Sequence, residues 1–182
     1  YTVDSGYVRL FDLATGRPQR SIPVPGSALL NGIAVADDGT IYASNTRPTG
    51  QLWKVTAGGE VSLFAEGAPL EAPNGVAIDQ DGNIVVVNVG DNAVLTYDPA
   101  GSVIRTERSV EGGNDGVVVT ADGTKYVSSV RHGSVSRIRP GQEAEIIASG
   151  IPSAASMCYD SNQHQLVIPL NPNYALAFVR LD

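Results

Sequence analysis

The sequence predicts an all-β protein: a β-propeller of four-stranded antiparallel blades that forms part of a larger ring. Three observations predict it. A unit of apolar strand, polar turn and apolar strand recurs about every 42 residues. Each complete copy is followed by two more short strands. No stretch carries helical periodicity, while Gly and Pro punctuate the whole chain.

The repeat is read directly from the residues. Asn31 opens NGIAVADDGTIYASN, and Asn74 opens NGVAIDQDGNIVVVN 43 residues later. Asp115 opens DGVVVTADGTKYVSS after a further 41, and Ala155 opens the degenerate ASMCYDSNQHQLVIPL after another 40. The turns inside each unit carry Gly or Asn, which adopt positive φ at little cost. Third strands follow at 52–56, 94–98 and 135–139, and fourth strands at 61–67, 103–109 and 144–150. One such sheet cannot bury both faces, so sheets must stack around an axis. A β-sandwich with regular turns is the alternative, but it has no reason to repeat NG…DG.

The chain reads as one domain, 1–182, with full blades at about 26–66, 67–109 and 110–150. Segments 1–25 and 151–182 read as partial blades, because Tyr1–Asp4 aligns with the second strand Tyr42–Asn45 and AFVRL at 177–181 aligns with a third strand. The missing strands are expected from absent N-terminal sequence, a second chain or a symmetry mate. Tyr1 follows neither Met nor a charged leader, which fits a removed signal peptide or missing N-terminal sequence. A periplasmic or secreted setting is slightly favoured over the cytoplasm.

Composition narrows the partners. A net charge of −7 leaves no basic stripe for phosphates, so nucleic acid is not expected. No apolar run is long enough to span a bilayer, so no membrane partner is expected. Hydrophobic residues at 42% and charged residues at 17% fit a globular protein that binds a small molecule. Cys158, the single cysteine, sits in the apolar run SMCY and is expected in the core.

In a propeller the first strand of each blade lines the axis, so Asn31, Asn74, Asp115 and Ala155 surround one mouth. Asn and Asp are depleted in strands. Their recurrence admits two readings: they turn the chain before Gly32, Gly75 and Gly116, or they converge on an axial cation. Two amide oxygens and a carboxylate suit Ca²⁺ first, with Mg²⁺ or Zn²⁺ as alternatives. No HxxxH or CxxC pair supports a dedicated zinc site. Loops 4–6, 45–50, 88–92, 129–133 and 171–174 would wall the pocket. They place Asn45, Asn88, Arg131 and His132 as candidate substrate contacts, with second-layer or turn-forming roles open for Asn45 and Asn88. Arg131, with Arg47, could hold an anionic substrate. A solvated loop role is the alternative for His132, and His164 falls in a hairpin at the opposite mouth.

PNGVAIDQDGNIVVVN (73–88), LNGIAVADDGTIYASN (30–45) and GGNDGVVVTADGTKYVSS (112–129) resemble the SMP-30/gluconolactonase/LRE-like family. NHL-type propellers share NG…DG; the order Asn, Asn, Asp is more specific. The resemblance implies six blades around a divalent cation, usually Ca²⁺. It implies Asn31, Asn74 and Asp115 as metal ligands, and Asp115 as the general base of a hydrolase opening a lactone or related ester. The family's glutamate ligand has no counterpart here, so cation affinity is expected to be weaker and the segment alone inactive. The competing readings are a non-catalytic NHL-like propeller that binds a ligand or protein, and a structural metal without turnover.

Overall fold

The computed structural model describes residues 1–181, which form five antiparallel sheets in a propeller arrangement. The first sheet orders β1 (Thr2–Asp4), β2 (Tyr7–Phe11) and β3 (Pro18–Pro23). The second orders β4 (Leu30–Val35), β5 (Ile41–Asn45), β6 (Gln51–Val55) and β7 (Val61–Glu66). The third orders β8 (Pro73–Ile78), β9 (Ile84–Asn88), β10 (Ala93–Tyr97) and β11 (Val103–Arg108). The fourth orders β12 (Asn114–Val119), β13 (Lys125–Ser129), β14 (Ser134–Ile138) and β15 (Glu145–Ala148). The fifth orders β16 (Cys158–Asp160), β17 (Gln165–Leu170) and β18 (Ala175–Arg180), with a 3-10 turn at Asn171–Asn173. Strand β8 lies against both β4 and β12, so these three inner strands line the axis.

The hairpin turns form for the reason the sequence suggests. Gly39, Gly82 and Gly123 have φ of 82°, 79° and 80°, values that L side chains rarely adopt. An aspartate closes each loop. Asp38 Oδ1 accepts from Thr40 N at 2.8 Å, Asp79 Oδ1 from Asn83 N at 2.9 Å, and Asp122 Oδ1 from Thr124 N at 3.1 Å. In the degenerate copy His164 takes the left-handed position, at φ 51°.

Each successive pair of sheets encloses an apolar cluster. Val8, Ile22, Ile41 and Val55 fill the first space, and Leu52, Ile84, Val86 and Leu95 the second. Val85, Val87, Val94, Val127 and Ile138 fill the third, and Tyr126, Val135, Leu166 and Ile168 the fourth. Phe64 meets Tyr42 and Tyr97 edge-on, at centroid distances of 5.1 and 6.1 Å. Burying each such aliphatic side chain stabilises by roughly 1.5–3 kcal/mol, and this packing holds the mouth rigid.

One residue departs from expectation and one buried charge stands out. Cys158 is exposed rather than in the core. It lies on β16 in register with Val167 and Phe178, on the face turned away from the fourth sheet, and among the described residues nothing packs over that face. Lys125, on β13, is 3% exposed at a register position where β5 has Ile41 and β9 has Ile84. Its ammonium lies 2.8 Å from Glu107 Oε2 on the neighbouring β11, close enough for an ion pair but outside hydrogen-bond alignment.

Candidate functional site at the axial mouth

The three inner strands share one irregularity. Pairing skips from Leu30↔Asn45 to Ile33↔Ala43, from Pro73↔Asn88 to Val76↔Val86, and from Asn114↔Ser129 to Val117↔Val127. Two residues therefore oppose one, and the extra pair is Asn31–Gly32, Asn74–Gly75 or Asp115–Gly116. A bulge re-aims side chains beside a site, and here it falls on the recurring Asn or Asp of each inner strand.

The glycines serve close approach rather than turning. None of the three has positive φ. A Cβ on Gly32 would collide with the carbonyl oxygen of Asn74, one on Gly75 would stand 2.5 Å from that of Asp115, and one on Gly116 2.9 Å from the backbone nitrogen of Met157. The turn-forming reading of Asn-Gly and Asp-Gly is thereby corrected: these are bulges where neighbouring blades touch backbone to backbone. Ser44 and Ser128, which the sequence reading passed over, lock two of the contacts. Ser44 Oγ accepts from Gly32 N at 2.8 Å and donates to Asn74 O at 2.5 Å. Ser128 Oγ accepts from Gly116 N at 2.8 Å and donates to Ala155 O at 2.7 Å. A serine at the same position of two second strands, Ser44 in IYASN and Ser128 in KYVSS, was the available signal.

Asn74 and Asp115 come together: Asn74 Nδ2 donates to Asp115 Oδ2 at 3.1 Å. Ser156 Oγ donates to Asp115 Oδ1 at 3.4 Å. Asn31 is exposed, and its Nδ2 donates to Thr46 Oγ1 at 3.3 Å, which in turn donates to Pro73 O at 2.8 Å. Ala155 is buried and brings no polar group. Ser156, one position on, supplies the hydroxyl instead. Burial pushes the Asp115 carboxyl above the usual carboxylate range, while hydrogen bonds from Ser156 and Asn74 pull it back. Beneath the mouth a cavity of about 190 Å³ is lined by Asn31, Gly32, Gly75, Gly116, Ser156 and Met157, among others.

The residues suit a hard cation in donor chemistry. Asn74 is 4% exposed and its Oδ1 has no hydrogen-bond partner. An orphaned buried carbonyl oxygen beside a carboxylate is the kind of donor a hard ion takes up. Among the described residues no three of His, Cys, Asp and Glu converge. A cation here would rest on Asp115 and on the amide oxygens of Asn31 and Asn74.

The remaining candidates divide. Asn45 and Asn88, the candidate substrate contacts on the second strands, are fully buried. Asn45 Oδ1 accepts from Ala28 N and Leu29 N at 3.2 and 3.0 Å, and its Nδ2 donates to Gln51 Oε1 at 3.0 Å. Asn88 Nδ2 donates to Pro69 O at 2.9 Å, while its Oδ1 has no partner. Arg131 and His132 stand exposed on the β13–β14 loop. His132 Nδ1 lies 3.7 Å from Glu111 Oε1, and Ser134 Oγ donates to Glu111 Oε2.

Fold and mouth together define a β-propeller with an oxygen-rich site where its inner strands meet. The chain belongs to the SMP-30/gluconolactonase/LRE-like family, whose region model matches residues 4–110. Asn31 and Asn74 fall inside the matched segment, and Asp115 lies just beyond it. No curated protein matches the sequence. Among solved structures, virginiamycin B lyase from Staphylococcus aureus superposes with a TM-score of 0.72 at 12% identity, over 97% of this chain and 64% of that one. A gluconolactonase from Xanthomonas campestris gives 0.70 at 19% identity, over 88% and 61%. A nidogen/laminin complex structure gives 0.76 at 16% identity, over 97% and 76%. At these identities the likeness concerns the fold. The chain spans 64% of the length of the lyase it matches.

Proposed function

We propose that the axial mouth opens a lactone or a related ester. The observation that carries this reading is the Asp115 carboxylate: it is partly desolvated and held by Asn74 and Ser156, and its neighbours Gly116 and Ser156 line the cavity. Asp115 takes a proton from water as the oxygen adds to the carbonyl carbon. The carbonyl then re-forms, the ring C–O bond breaks, and the proton goes to the departing alkoxide, giving a hydroxy acid. Asn31, Asn74 and Asp115 would hold a divalent cation, Ca²⁺ by their donor chemistry. When bound it supplies polarisation of the carbonyl or of the attacking water. The family match supports a lactonase-like propeller.

A second reading is a non-catalytic binding propeller. It is favoured by the direct Asn74–Asp115 hydrogen bond, which joins the two side chains without a cation. Elemental analysis of the full-length protein beside Asp115→Ala, followed by a lactone and ester panel, separates the two. The hydrolase reading expects about one calcium in the parent, little in the variant, and a fall in turnover of about 10²–10⁴-fold. Negligible metal in both after calcium is supplied, with no turnover, leaves the binding propeller.

A further inference from the structure

The loop after β13 carries an arginine whose stem is seated on the segment leading to Asp115. Arg131 extends from the β13–β14 loop, and its stem lies across Gly113, two residues before Asp115. A Cβ on Gly113 would stand 2.6 Å from Arg131 Cγ and 2.8 Å from its Cδ, so only glycine lets the stem lie there; φ at Gly113 is 80°. The two loops are tied together around it. Val130 N donates to Gly113 O at 2.9 Å. Ser129 Oγ donates to Gly112 O at 2.7 Å and accepts from His132 N at 3.2 Å.

The carboxylate of Glu111, on the β11–β12 loop, is already engaged. Glu111 accepts from Ser134, a 2%-exposed hydroxyl, and faces His132. Arg131 makes no ion pair among the described residues. It is exposed and lines a cavity of about 280 Å³ with His132 and Gly150–Ser153, on a chain whose net charge is −7. An unpaired guanidinium meets a planar carboxylate with two parallel hydrogen bonds.

We infer that Arg131, seated on Gly113, forms an anion subsite, so that the substrate is a lactone or ester carrying a carboxylate away from the bond that opens. This rests on the hydrolytic reading of Asp115. Ser134 acts through Glu111: it keeps that carboxylate occupied and so leaves Arg131 to the ligand.

The test uses the full-length protein and two probes, γ-butyrolactone-γ-carboxylate and its methyl ester. Hydrolysis is followed as kcat/KM, and binding of the carboxylate probe by calorimetry. The parent should prefer the carboxylate, and Arg131→Gln should lower that preference about tenfold, a difference of about 1.4 kcal/mol. Arg131→Lys should restore part of it, because a point charge replaces the fork. Turnover of both probes with the same preference in parent and Arg131→Gln overturns the subsite and leaves the hydrolase reading standing. No turnover of either probe, with carboxylate binding that weakens in Arg131→Gln, overturns the hydrolase reading and keeps the subsite. Binding that is equal in parent and variant overturns the subsite whatever the turnover.

Discussion

The two ends of the fourth blade treat the same residue type in opposite ways. Asp115 stands at the axial mouth and Asp122 in the hairpin at the other end, seven residues along the same chain. Burial pushes Asp115 up. Asp122 is exposed and its carboxylate accepts from Thr120, Thr124 N and Thr124 Oγ1, which bring it down to about 2. The hairpin aspartate is satisfied by its own turn and shapes the chain. The axial aspartate is drawn out of water and left with a lone pair or two to offer. Sequence shows D-G at both places, and only the surroundings separate a turn former from a desolvated carboxylate.

Lys125 provides the largest test of that contrast, since it is a buried charge that faces an opposite charge. Replacing it with Met strands Glu107, whose side chain is 15% exposed. Breaking such a pair costs roughly 3–5 kcal/mol. Chemical denaturation of Lys125→Met should show a loss of that order, and Lys125→Met/Glu107→Leu should recover most of it. A single variant as stable as the parent would mean that the pair is solvated. The blade would then hold no internal charge to set against Asp115.

The serine bridges give the next largest effect. Ser128→Ala leaves Gly116 N and Ala155 O without their partner, a loss of about 1–3 kcal/mol for a buried pair. Ser128→Val should cost less, because the third blade already packs Val87 at the matching position, with Cγ2 3.1 Å from where a Gly75 Cβ would stand. Melting curves of the two variants in one buffer decide it. Equal losses would show that the bridge, not the packing, sets the blade contact.

These bridges also mark where sequence reasoning stopped. The strands and hairpins were legible because period and turn chemistry are local: NG and DG recur at fixed offsets, and Gly39, Gly82 and Gly123 need positive φ. Asn31, Asn74 and Asp115 were legible as a set for the same reason. The role of Gly32, Gly75 and Gly116 was not, since what forbids a side chain there is backbone about 40 residues away in the next blade. Asn45 and Asn88 look like mouth residues by position, yet their amides bond the backbone of the segments that lead into β4 and β8. Cys158 reads as core from its neighbours SMCY, but burial depends on which face of β16 is covered. Ser156 was hidden by the degenerate copy, where the polar group moves one place along.

The smallest effect belongs to the hairpin end. Asp122 has a folded value near 2, depressed below the ordinary 3.8. Its contribution is therefore present above about pH 4 and is lost as pH falls from there towards 2. Because the group is exposed, solvent screens the gain, and Asp122→Asn should cost less than about 1 kcal/mol at pH 7. Stability measured from pH 6 to pH 2 should show parent and variant converging at the acid end. Curves that stay parallel to pH 2 would mean that Asp122 is held no more tightly than a free carboxylate. The turn would then be closed by Gly123 and the threonines alone, and the opposition between the two ends of the blade would rest on Asp115 only.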